Sequence, residues 1–192
     1  MHSVDFDALR ARLALHVPRR DVVVGVPQAA VALVLVGGGA GLELLLIRRS
    51  EREGDPWSGH MALPGGRRDA ADAELFDTAR RETLEEVGVA LTRAQLLGEL
   101  DDLRPLTAPA RVLVRPFVFA LSARPPISAS GEVAEHHWVA LRDLAASSGT
   151  TEVVHHGALR AMPCYRIGES VVWGMTHRIL EPVVALADQS TR

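Results

Sequence analysis

The 192-residue chain has a single cysteine, Cys164, so no disulfide can form within it and no cysteine-based zinc cluster can be assembled. A reducing, cytoplasmic compartment is the expectation. Long hydrophobic runs are also missing. The longest, Ala29 to Val36, is far shorter than the roughly 20 residues that a membrane-spanning helix needs, and Gly37, Gly38 and Gly39 follow it directly. No membrane segment is expected. Nor is there an excess of positive charge: with a formal net charge of −3 and a pI near 6.2, the chain lacks the basic field that grips a nucleic-acid backbone. That disfavours polymeric nucleic acid as a partner. No internal repeat and no Pro-, Gly- or Ser-rich linker divides the sequence, so one core is expected, with 47% hydrophobic residues to fill it.

The patterns that are present suggest a mixed α and β domain. Phe6, Leu9, Leu13 and His16 share one face of a short amphipathic helix, either a docking helix or a mobile end, and this segment lacks a signal-peptide apolar block. Val31 to Val36 and Leu42 to Arg48 are β-rich runs joined by a Gly-rich turn, which reads as a hairpin. Glu51 to Arg68 is polar and rich in Gly and Pro. From Glu74 to Val87 the period becomes helical, and Gly88 stops the helix. Strand signals return at Val112 to Leu121 and His136 to Val139, with Ala123 to Gly131 as a loop, and Gly174 to Asp188 has helical spacing. The sum is a mixed sheet with two main helices, α/β or α+β in class.

The helix from Glu74 to Val87 carries an unusual charge pattern. With Thr83 at the centre of its apolar face, Phe76, Ala79 and Val87 align with it, and Glu82, Glu85 and Glu86 fill the adjacent sector. Like charges at these spacings cost about 0.2 to 0.5 kcal/mol per pair. They read either as a solvated acidic face or as ligands for a hard divalent cation such as Mg²⁺. Arg81, one turn before Glu85, suits an ion pair that fixes Glu85 and leaves Glu82 and Glu86 to ligate.

Leu63-Pro64-Gly65-Gly66, a short acidic loop, and Arg-Glu-Thr-Leu-Glu-Glu-Val-Gly-Val from Arg81 to Val89 together resemble the Nudix box. Two departures stand out. Seven residues rather than five separate Gly66 from Glu74, the upstream glutamate, and six rather than seven separate Glu74 from Arg81; Thr83 occupies a position usually filled by a bulky aliphatic. The resemblance implies a Nudix fold, a mixed sheet sandwiched between helices, with residues 1–24 as an N-terminal helix or extension and 25–190 as the domain. It implies hydrolysis of a nucleoside diphosphate linked to another moiety, with Mg²⁺ or Mn²⁺ as cofactor and a small-molecule nucleotide as partner. Many members pair, so a homodimer is compatible. By resemblance Glu82 and Glu86 are the principal metal ligands, Glu85 is a ligand or base, and a carbonyl near Gly65 or Gly66 is a further ligand.

Arg48-Arg49-Ser50, the Pro-Gly-Gly-Arg turn and Val172-Trp173-Gly174-Met175-Thr176 resemble the coenzyme A pyrophosphatase branch, over roughly Gln28 to Pro182. Arg48, Arg49 and Arg67 are the candidate phosphate clamps. Glu132 or Glu135 is a candidate extra carboxylate for the metal or for base catalysis. The branch's Arg-x-His is absent from the stretch Gly54-Asp55-Pro56-Trp57-Ser58-Gly59-His60-Met61. Trp57 reads as packing or as a base-stacking surface, and His60 as a substrate contact. Trp173 and Tyr165 read as core or pocket-edge aromatics. The pairs His136-His137 and His155-His156 make poor chelates, because strand neighbours point to opposite faces. Alternatives are another substrate (an ADP-sugar, NADH or a nucleoside triphosphate), a non-catalytic nucleotide-binding module, or a purely structural metal site.

Overall fold

Side chains at residues 28–38 alternate between two separate cores. Ala29, Leu33 and Leu35 join one, whereas Ala30, Ala32, Val34 and Val36 join the other. A strand covered on both faces reads as a continuous apolar run, which is how this segment looks in the sequence. The computed structural model describes residues 3–21, 25–39, 41–54, 57–105, 112–155 and 158–189. In chain order the elements are α1 (Ser3–Leu15), β1 (Gln28–Gly38), β2 (Gly41–Arg49), β3 (Met61–Ala62), β4 (Gly65–Arg67), α2 (Leu75–Val87), β5 (Leu96–Glu99), β6 (Leu113–Leu121), β7 (Val133–Ala140), α3 (Leu141–Ala146), β8 (Ser148–His155), β9 (Ala158–Ile167), β10 (Ser170–Trp173) and α4 (Gly174–Gln189).

The main sheet runs β3-β2-β1-β6-β5, with β4 added to β1 and β7 added to β2. β1 and β2 form the expected antiparallel hairpin, while β1 and β6 are parallel, in register from Gln28–Leu113 to Val36–Leu121. On one face, Leu75, Phe76, Ala79 and Val87 of α2 cover the sheet. On the other, Leu9 and Leu13 of α1, Leu144 of α3, and Ile179, Leu180, Val183 and Val184 of α4 do so. The fold is the mixed sheet between helices that the resemblance implies. Of the two readings of the amino-terminal helix, docking is the one found. Among the described residues, no helix is long and apolar enough to cross a membrane.

The sequence reading leaves out β3, β4, β5, α3 and a second, three-stranded sheet in the order β10-β9-β8. Pro163 lies inside β9, opposite Thr150 of β8. β10 pairs with β9 only as far as Cys164, so at Pro163 the strand has a free edge, where a residue without an N–H is tolerated.

Candidate active site

Helix α2 presents one face to the core and the adjoining flank to β4. It ends at Gly88, whose φ of 73° suits glycine and whose N–H donates to the Leu84 carbonyl at 3.0 Å. Thr83 is wholly buried where the box has an aliphatic residue. Its hydroxyl donates to the Ala79 carbonyl at 2.7 Å, so burial leaves that hydroxyl paired.

The flank carries Glu82 and Glu86 to the backbone of two glycines. Gly65 N–H donates to Glu86 Oε2 at 2.9 Å, and a side chain at Gly66 would collide with the Glu82 carboxylate. A side chain at Gly65, where φ is 152°, would strike the Ala30 carbonyl and Val31. Burial pushes the Glu86 carboxyl up to about 7, against the pull of the Gly65 N–H and Arg49 and with added repulsion from Glu82 and Glu132. Burial raises Glu82 as well, opposed by Arg81. Two oxygen-donor groups that resist ionising side by side fit a hard divalent cation, whose charge would offset both penalties. Glu85 is different. Its side chain is 58% exposed and shares Arg81 with Glu82, but it does not line the cavity described below as Glu82 and Glu86 do.

Arg81 organises this flank more widely than an Arg81–Glu85 pair would. Its Nε and Nη2 donate to the two oxygens of Asp72 at 3.1 and 2.9 Å, Nη1 donates to Glu82 at 2.9 Å and Glu85 at 3.0 Å, and Nη2 also reaches the Arg67 carbonyl at 3.0 Å. Glu82 is therefore held by Arg81 rather than left free of it. Asp72 is the anchor: it also accepts from Thr78 Oγ1 and from Asp69 N–H, both at 2.9 Å, and Arg81 above all holds its carboxyl well below the usual range. Asp72 thus stands where the box has the upstream acid, the position the sequence reading gave to Glu74. Glu74 caps α2 at the surface and pairs with Arg93. The signal was present, since exactly the family's five residues lie between Gly66 and Asp72, but the acid there is an aspartate.

A cavity of about 440 Å³ opens over these groups, lined by Arg49, Gly65, Gly66, Arg67, Glu82, Glu86 and Glu132 on its charged side. Arg48 is not among them: Glu135 engages it on the neighbouring strand β7, which removes it from the expected phosphate clamp. Glu135 also meets His137 at 3.2 Å, so of the two late glutamates only Glu132 reaches the cavity, where it pairs with Arg52 at 3.3 Å. Trp57, His60 and Trp173 line the cavity too, and the His60 and Trp173 rings meet edge to face at 5.1 Å. Tyr165 is a core residue, stacked on His177 at 4.5 Å. Asp55, Pro56, His156 and the His155 side chain lie outside the described residues. Among those described, no three His, Cys, Asp or Glu side chains gather as a metal cluster. Glu82 and Glu86 at the cavity wall would suit an ion like Mg²⁺ that completes its shell with water and substrate oxygens.

The model of the NUDIX domain family matches residues 26–157. An uncharacterized protein of Schizosaccharomyces pombe is 44% identical over 108 residues, 53% of this chain and 32% of that protein, so the chain spans about a third of that relative's length. Human mitochondrial coenzyme A diphosphatase NUDT8 is 32% identical over 172 residues, 86% of this chain and 72% of NUDT8. A crystal structure of a MutT/nudix family protein from Enterococcus faecalis shares the fold, with a TM-score of 0.59 at 18% identity over 96% of this chain and 68% of that one. The chain belongs to the Nudix family. Within it, the chain is similar along most of its length to a mitochondrial coenzyme A diphosphatase.

Proposed function

We propose that the protein hydrolyses the pyrophosphate bond of coenzyme A or its thioesters, giving adenosine 3′,5′-bisphosphate and 4′-phosphopantetheine or its S-acyl form, with Mg²⁺ or Mn²⁺ as cofactor. The observation that carries this reading is the convergence of Glu82 and Glu86 on the Gly65-Gly66 backbone at the wall of one cavity. Similarity to NUDT8 supports the choice of substrate.

In this reading Glu82, Glu86 and the Gly66 carbonyl hold the cation. A divalent cation, when bound, neutralises charge on the pyrophosphate and acidifies the attacking water. Water adds to one phosphorus, the bridging P–O bond breaks, and one proton is released. Glu132, also at the cavity wall, accepts that proton. Arg81, fixed by Asp72, keeps the Glu82 carboxylate in one orientation, and Glu85 serves as the outer contact of Arg81. Arg49 and Arg67 hold phosphate oxygens through charge-assisted hydrogen bonds.

One observation favours a second reading. The stretch where the branch carries Arg-x-His contributes Trp57 to the cavity instead, an aromatic surface compatible with another ADP-linked substrate such as ADP-ribose. The deciding experiment incubates the protein with Mg²⁺ or Mn²⁺ and coenzyme A, ADP-ribose, NADH, diadenosine polyphosphates or nucleoside triphosphates, with product chromatography and Glu86→Gln as control. Adenosine 3′,5′-bisphosphate and 4′-phosphopantetheine, lost in the variant, are the expected products. Turnover of another member alone keeps the pyrophosphohydrolase and overturns the substrate; silence across the panel points to a binding module.

A further inference from the structure

Crossing the main sheet from β4 to β6, the cavity wall changes character. Register places Arg67 opposite Ala29 and Ala29 opposite Val114, so Arg67 and Val114 stand two strand spacings, about 10 Å, apart. Val112 and Val114 line the cavity, while Arg115, the next residue along β6, is outside its lining and binds Asp102 through two hydrogen bonds of 2.8 and 2.9 Å. Val31, Val112 and Met175 all rest on the same apolar core. Every charged lining residue comes from β2, β4, α2 or the turn before β7; among the described residues, β6, β9, β10 and α4 bring none.

Coenzyme A has a matching asymmetry. Its adenosine half carries the 3′-phosphate, whereas its pantetheine arm, free or acylated, is uncharged. A phosphate against the Val112–Met175 wall would lose water without gaining a cation, which is costly, whereas an acyl chain there would gain from burial. Resting on the coenzyme A reading, we propose that the arm lies along the wall of Val112, Val114 and Met175, with the adenosine bisphosphate on the Arg49 and Arg67 side, and that this wall selects acyl thioesters by chain length.

The test compares kcat/KM for coenzyme A, dephospho-coenzyme A, acetyl- and hexanoyl-coenzyme A in the native protein and in Met175→Ser and Val112→Ser. Both side chains are only half-buried, and melting curves check that each variant folds. The native protein should prefer hexanoyl- over acetyl-coenzyme A by at least about tenfold, from burial of the added methylenes. Either variant should lose most of that preference and keep the ratio of coenzyme A to dephospho-coenzyme A. A flat chain-length profile with coenzyme A still cleaved overturns this inference alone, as does a variant that changes the dephospho ratio and spares chain length. Cleavage of ADP-ribose with no coenzyme A substrate turned over overturns the substrate reading and this inference together.

Discussion

Helix α2 and the segment from β9 to the start of α4 border the same cavity, yet they are held in different ways. On α2, Arg81 alone ties together Asp72, Glu82, Glu85 and the Arg67 carbonyl, and Gly65 N–H holds Glu86. From β9 to α4, the cavity is met by Met162, Trp173 and Met175, placed by packing and by the Thr176 hydroxyl on the Met61 carbonyl at 3.3 Å. Thioethers adapt to what they touch, whereas a multiply hydrogen-bonded carboxylate keeps one geometry. The contrast separates two jobs. Substitutions around α2 should act on kcat, and substitutions in the second region on kcat/KM for some substrates and not others.

The largest effect is expected at Glu86. Glu86→Gln keeps the shape and the fold but loses the buried charge, and kcat should fall at least about a thousandfold, equivalent to ~4 kcal/mol of transition-state stabilisation. Steady-state turnover with circular dichroism checks both halves of that statement. Asp72→Asn comes next. Removing one partner of a fully buried ion pair costs about 3–5 kcal/mol, but Arg81 retains Glu82 and Glu85, so a loss of roughly 2 kcal/mol in denaturant unfolding at neutral pH is expected, with reduced kcat. Because Arg81 lowers the Asp72 pKa, this stability is present above the unfolded carboxyl value and disappears only as pH falls through the folded one. The difference between native and variant should therefore close in strong acid.

Glu86 titrates in the opposite sense. Its raised pKa means that the protonated form favours the fold below about 4.5, and that contribution is lost as pH rises through about 7. Mg²⁺ should therefore raise the melting temperature most above pH ~7 and hardly at all near pH ~5, where protons compete for the same oxygens. The smallest effects separate two neighbours on β2. Arg49→Ala should raise KM about tenfold, whereas Arg48→Ala, which leaves the cavity intact, should change kcat/KM by less than about threefold.

The same contrast explains what the sequence made legible. The box helix was readable because its stripe of Phe76, Ala79, Thr83 and Val87 has helical spacing and Gly88 ends it. The hairpin was readable because β1 and β2 are apolar over most of their length. β9 was not, since Pro163 interrupts it and much of its surface is exposed. Asp72 was missed because the acidic residue was sought as a glutamate, and Arg48 and Arg49 could not be told apart until the pairing of Arg48 with Glu135 was seen. Side-chain partners across strands depend on register, which local pattern does not specify.

In the proposed function Glu86, rather than Glu85, holds the cation for pyrophosphate hydrolysis. Calorimetric titration of Mn²⁺ into the native protein, Glu86→Gln and Glu85→Gln at about pH 8 tests it without recourse to activity. Glu86→Gln should lose at least about a hundredfold in affinity and Glu85→Gln less than about fivefold. Native-like binding by Glu86→Gln, or its loss in Glu85→Gln, would overturn this assignment.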